Sequence, residues 1–184
     1  MEQNKFKDLW YDLIKIFVSF LFISVMGGFL SHLWQNREYK NQIQIEQKKY
    51  EKEAATKLFE EISKQLDRQI SNFQFLINDQ SFRQKCKEDY LVWNENKTRL
   101  KAMAEKYFGG SASKSLTYFS DQLKTLFIDL VISSDSIKAS TSIITDLNNL
   151  EIEITNFNSK LVDDLLRDNV GSSREKLGRQ QFEN

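Results

Sequence analysis

The sequence predicts an all-α protein made of one membrane-crossing helix and a bundle of about four further helices, and three observations carry that prediction. Proline is absent and glycine occurs only 6 times in 184 residues, so little in the chain breaks a helix. An N-terminal stretch is apolar and uncharged over the length a bilayer demands. Beyond it, apolar residues recur at alternating spacings of three and four, the pattern of helices with one buried face.

The membrane segment comes first, at 13–34, after a short tail at 1–12. From Ile16 to Leu33 the chain reads IFVSFLFISVMGGFLSHL, with no formal charge between Lys15 and Arg37. At about 1.5 Å per residue, some 18 to 20 such residues cross a hydrocarbon layer of about 30 Å. Trp10 and Tyr11 precede the run and Trp34 and Tyr39 follow it, placing amphipathic rings at headgroup depth. A cleaved signal peptide is the competing reading, since Lys5, Lys7 and Lys15 lie upstream. The run exceeds the about 7–15 residues of a signal core, however, and no small-residue cleavage motif follows it.

Orientation follows from the flanking cations. Three lysines lie on the N-terminal side, against Arg37, Lys40, Lys48, Lys49 and Lys52 on the other, so the C-terminal domain is expected in the cytoplasm of a single-pass inner- or plasma-membrane protein. Within the span, Ser24, Gly27, Gly28 and Ser31 share one narrow face. Small residues at that spacing let a second helix approach closely, which points to a homo-oligomer. His32, the single histidine, reads as an interfacial polar residue.

Residues 35–53 are rich in Gln, Lys and Glu and contain no breaker, so they are expected to continue the helix as a polar stalk. The bundle is placed at 54–168. Ala55, Phe59, Ile62, Leu66, Gln69, Phe73 and Leu76 form a stripe that Leu58 and Ile70 widen. It stops around Asn78 to Ser81. Ser81 and Gln84 have capping-box spacing, and a second helix is expected from Phe82 to Tyr107 with Phe82, Cys86, Tyr90, Trp93, Leu100, Met103 and Tyr107 inward. Gly109 and Gly110 end it.

Ser111 or Ser113 is expected to cap a third helix carrying Leu116, Phe119, Leu123, Leu126 or Phe127, and Leu130. After a turn at Ser133, Ser134 and Asp135, a fourth helix carries Ile137, Ile143 or Ile144, Leu147, Leu150, Ile154, Phe157, Leu161 and Leu165. Periodicity ends there, and 169–184 reads as a flexible tail.

The inventory narrows function mainly by exclusion. Lys plus Arg equals Asp plus Glu at 26 each, so no global field draws the chain to nucleic acid, and no double-stranded nucleic acid is expected as partner. With one histidine in the membrane segment and one cysteine, Cys86, there is no triad, metal motif or disulfide pair, and neither an enzyme nor a cofactor is expected. Phosphate loops are missing as well.

Two features point to ligand chemistry. Arg83, Lys87, Lys97, Arg99 and Lys101 make helix two basic, which serves either a solvated surface or a phosphate-bearing ligand. Hydroxyls crowd the start of helix four, among them Ser140 and Thr141, and these either line a polar pocket or accompany a turn.

Three classes of function result: a membrane-tethered sensor or interaction module, a membrane-active effector, and an enzyme, of which the last has no residues to support it. The order of parts, a short tail, one span, a polar stalk and a helical domain of about a hundred residues, resembles small membrane effectors of prokaryotic antiviral defence, including those that accompany type III CRISPR systems. The resemblance implies a cytoplasmic domain that binds a cyclic oligonucleotide such as cyclic oligoadenylate at a subunit interface, with spans that disrupt the bilayer. A tethered scaffold that meets only a protein partner is the alternative.

Overall fold

The computed structural model describes residues 2–132 and 141–171, with side chains from Ile14 onward. Among the described residues there are four helices and no strand: α1 (Glu2–Asn78), α2 (Arg83–Phe108), α3 (Gly110–Phe127) and α4 (Thr141–Leu166). A 3-10 turn at Gln80–Phe82 precedes α2, and a π-helical turn at Ile128–Ile132 prolongs α3. The chain divides into two compact units, Met1–Gln47 and Lys48–Asn184.

The first unit is the N-terminal part of α1 alone. Its large apolar side chains from Ile14 to Leu33 are 44 to 69% exposed, and they point around the whole circumference of the helix. An 18-residue window there has a mean hydropathy of 2.0 with none of it buried. A helix that is apolar all round is covered by protein or by lipid. This one is long and apolar enough to cross a membrane. Further along, Tyr39 and Ile45 are exposed in an otherwise polar sequence. The side chains of Lys5, Lys7, Trp10, Tyr11 and Leu13 lie outside the described residues.

The second unit is a helical bundle whose core follows from the seams. On α1, Ala55, Leu58, Ile62, Leu66, Ile70, Phe73 and Leu76 are buried, while Phe59 is only partly covered. Cys86, Tyr90, Trp93, Leu100, Ala104, Tyr107 and Phe108 line the inner face of α2. Leu116, Phe119, Leu123, Leu126 and Phe127 do so on α3, and Leu130 and Val131 extend that face through the π turn. The α4 seam is buried at Leu147, Leu150, Ile154, Phe157, Leu161 and Leu165. Of the alternatives at its start, Ile143 packs on the core and Ile144 is exposed.

The helices meet through chemically different contacts. Tyr90 stacks on Phe127 at 4.0 Å and 11°, joining α2 to the end of α3. Phe119 meets Phe157 edge to face at 5.3 Å, joining α3 to α4. In contrast, α1 is tied to α4 by polar bridges. Ser63 Oγ donates to Asn158 Oδ1 at 3.0 Å, Gln74 Nε2 donates to Glu151 Oε2 at 2.9 Å, and Lys52 meets Asp168 at 2.5 Å. These pairs step in opposite directions along the two helices, so this stretch of α1 and α4 run antiparallel.

The connections correct three expectations. The Ser81–Gln84 capping box does not form, because the Asp79 side chain accepts from the Ser81 backbone N–H at 2.9 Å and Gln84 donates to Glu88 instead. Asp79 is extended, at φ −145° and ψ 111°, and α2 starts at Arg83 with no side-chain cap. That backbone hydrogen bond holds the Asp79 carboxyl below its usual range.

Neither Ser111 nor Ser113 caps α3, which begins at Gly110. Gly109, at φ 85° and ψ 175°, turns the corner in a conformation essentially reserved for glycine, and its carbonyl accepts from Ala112 at 3.1 Å.

The flexible tail expected at 169–184 does not begin at Asn169. Asn169 N–H returns to the Asp164 carbonyl at 2.9 Å and Asp168 takes a left-handed φ of 51°, the six-to-one closure of a Schellman cap. Val170 is then buried, and Gly171 donates its N–H to the Tyr107 carbonyl at 3.0 Å. Ser133, Ser134, Asp135, Ile137 and residues 172–184 lie outside the described residues.

Candidate functional site

The basic residues of α2 do not converge on one point. Arg83 and Lys101 are separated by about 27 Å of helix axis, since each residue rises about 1.5 Å. Arg83, Lys87, Lys97 and Lys101 fall on one flank of the buried seam, whereas Arg99 turns to the other flank. There it pairs with Glu61 of α1 and touches Met103 Sδ. Arg99 therefore joins two helices of the bundle. Lys87 is exposed and Lys97 and Lys101 are half-buried.

The hydroxyls of Ser142 and Thr145 at the start of α4 are engaged within that helix. Thr141 is exposed and its carbonyl accepts from Thr145 Oγ1 at 2.9 Å, while Ser142 reaches Asp146. Back-bonding of this kind satisfies a hydroxyl within its own helix. Ser140 lies outside the described residues.

Clefts form instead along α1. One of about 270 Å³ is lined by Lys48, Lys49, Lys52, Asp168 and Val170. A second, of about 470 Å³, adjoins Lys49, Lys52, Thr56 and Lys57, with Glu53 and Glu60 on its wall. Asp168 is held below the usual carboxylate range by its hydrogen bond from Lys52 and by the charges of Lys52 and Lys48. The α4 C-terminus is also the negative end of its helix, so it draws these cations on its own account. Sequence reasoning counted these lysines only toward membrane orientation. What brings them to Asp168 is a contact across 116 residues, which no local pattern encodes.

Among the described residues, the site that combines buried polar groups is the seam between α1 and α2. Asp89 is buried at 8% exposure and receives Asn72 Nδ2 at 2.6 Å and Arg68 at 3.1 Å. Gln69 Nε2 donates to the Asp89 backbone carbonyl at 2.9 Å, and Cys86 Sγ donates to that of Asn72 at 3.2 Å. Every partner of the carboxylate is thus a donor, which satisfies a charge that burial alone would penalise. Burial, then the charge of Asp89, pushes the Cys86 thiol up to about 11, so the thiolate is suppressed near neutrality.

Gln69 interrupts the apolar stripe in the sequence, but Asn72 and Asp89 escaped that reading. The signal for Asp89 was its place between Cys86 and Trp93 at spacings of three and four.

In the first unit, Ser24, Gly27, Gly28 and Ser31 are exposed, and a methyl group built on either glycine meets nothing within 4 Å. No group of three or more His, Cys, Asp or Glu side chains suited to a metal occurs among the described residues. The fold thus defines an all-α chain that joins a helix long and apolar enough to cross a bilayer to a helical bundle with a polar seam. Comparison with protein-family models, with curated proteins and with solved structures gives no match.

Proposed function

We propose that this chain is a non-enzymatic, single-span membrane protein whose bundle lies in the cytoplasm and couples a ligand or partner to the bilayer. The observation that carries the reading is the exposed apolar surface from Ile14 to Leu33, set beside a bundle that buries its own apolar seams. Water is the wrong solvent for the first stretch and the right one for the exterior of the second. Excess Lys and Arg after the span support the cytoplasmic assignment. The Ser24, Gly27, Gly28 and Ser31 face supports assembly of several copies through the span.

In this reading the bundle answers to a cyclic oligonucleotide or to a protein, and assembly of the spans carries the response into an effect on the membrane, in the manner of antiviral effectors. The basic flank of α2 and the cations along α1 are the surfaces offered to a phosphate-bearing ligand.

The test uses the full chain. Carbonate extraction of membranes should leave it in the pellet, and protease added to intact spheroplasts should spare the bundle. Release by carbonate would overturn the membrane assignment, and cleavage of the bundle from outside would reverse the topology. In detergent micelles, a cyclic oligoadenylate series should raise the thermal midpoint if a nucleotide is the ligand. An unmoved midpoint together with a protein co-purified after crosslinking would select the scaffold version.

A further inference from the structure

The contacts between α1 and α2 define a register. Cys86 lies against Asn72, Asp89 against Gln69 and Arg68, and Arg99 against Glu61, so each step forward on α2 is a step back on α1. Trp93 is one turn beyond Asp89, and Gln65 one turn before Gln69. The same register therefore sets Trp93 across from Gln65, at one level between two pinned contacts.

Three polar atoms at this level and on the adjoining turn of α1 are buried without a partner: Trp93 Nε1, Gln65 Oε1 and, one turn on, Gln69 Oε1. Trp93 is 1% and Gln69 2% exposed. The amide nitrogens of both glutamines are already committed, that of Gln65 to Glu61 at 3.3 Å and that of Gln69 to Asp89 at 2.9 Å. Their carbonyl oxygens are therefore fixed as acceptors, and the indole N–H is a donor only. Leaving such groups unpaired in a core carries the full desolvation penalty of each.

One donor and two acceptors can all be met by a single water molecule, which donates two bonds and accepts up to two. Buried waters make about three such bonds, typically to groups the protein leaves unpaired. We infer that the α1–α2 seam binds one structural water, held by Trp93 Nε1–H and by the carbonyl oxygens of Gln65 and Gln69. The water completes the polar layer that Asn72, Arg68 and Asp89 begin. It is a site independent of membrane insertion.

The test exploits the tryptophans. Replacing Trp10→Phe and Trp34→Phe in the full chain leaves Trp93 as the sole indole and changes no residue of the bundle sequence. In micelles, the 15N-labelled Trp93 Hε1 should show a cross-peak to water with the sign of the protein's own contacts, as only a water that tumbles with the molecule gives. In the Gln65→Met chain, with circular dichroism unchanged, that peak should fall severalfold.

Loss of the peak in the parent chain, with Hε1 shifted as for a direct bond to a glutamine carbonyl, would overturn the proposal. So would a peak undiminished by Gln65→Met. A crystal structure of the full chain should show one ordered density within hydrogen-bonding distance of all three atoms, and its absence there counts equally against the site.

Discussion

Two stretches of α1 use the same alphabet for opposite purposes. From Ile14 to Leu33 the apolar side chains surround the helix and are exposed, whereas from Ala55 to Leu76 they form one stripe and are buried. What differs is the distribution of polar residues. The second stretch places Lys, Glu, Asp and Arg on the outer face, and the first has only Lys15, at its very start. The lesson is that the arrangement of polarity, more than hydrophobic content, selects the medium that covers a helix.

The sharpest way to break this comparison is to put one carboxylate into each stretch. Ile62→Asp strands an unpaired charge in the core and should cost about 3–5 kcal/mol, enough to unfold much of the population in a urea titration. Ile23→Asp should leave the urea midpoint of the bundle where it was. Its effect should appear in membrane retention, since Asp at the centre of a span costs about 2.5–3.5 kcal/mol of insertion. An equal loss of bundle stability in both variants would erase the distinction.

Truncation gives a gentler version. Leu66→Ala should destabilise the bundle by about 2–5 kcal/mol through lost burial and the cavity left behind. Leu30→Ala should not move the unfolding midpoint. The glycine corner sharpens the same point with backbone geometry. Gly109→Ala forces a methyl group into φ 85° and ψ 175° and should cost about 1–3 kcal/mol. Gly110→Ala, where a Cβ meets nothing within 4 Å, should stabilise α3 by about 0.4–1 kcal/mol in the same urea titration.

The smallest effects come from pH. Asp79 and Asp168 both titrate below their ordinary value in the folded chain. Each therefore adds stability above the unfolded carboxyl pKa, and that contribution disappears as pH falls through the lower folded value. Asp67 behaves oppositely, because burial and then the neighbouring Glu151 raise its pKa. Its favourable contribution is present below the unfolded pKa and is lost as pH rises through the folded one. Asp79→Asn should thus flatten the acid side of the pH–stability curve, and Asp67→Asn should lift the neutral side slightly. Urea midpoints between pH 3 and 7 check both.

Much of the fold was legible because a buried helical face repeats locally. The stripe from Ala55 to Leu76 and the α4 seam from Leu147 to Leu165 are buried as their spacing implied. Caps were less legible, since Ser81 and Gln84 have the right spacing while Asp79 competes for the same backbone N–H and wins. The polar seam was legible in one residue, Gln69, and not in its partners. Asn72, Asp89 and Arg68 come together only when two helices set their register, and a single helix carries no record of its neighbour. The same holds for Arg99, which the sequence offers to solvent or to a phosphate-bearing ligand and which pairs with Glu61 of α1 in the structure.

The link between Lys52 and Asp168 has a consequence in time. It closes a span of 116 residues, and it sits beside the Gly171 bond to Tyr107 and the burial of Val170. A chain made from its N-terminus presents α1 to the ribosome's surroundings long before α4 exists to cover it. Local helices form on emergence, but this clasp waits until the chain has been made as far as Asp168. Until then the apolar seam from Ala55 to Leu76 lacks the cover that the later helices give it, and the last turn of α4 is what completes that cover.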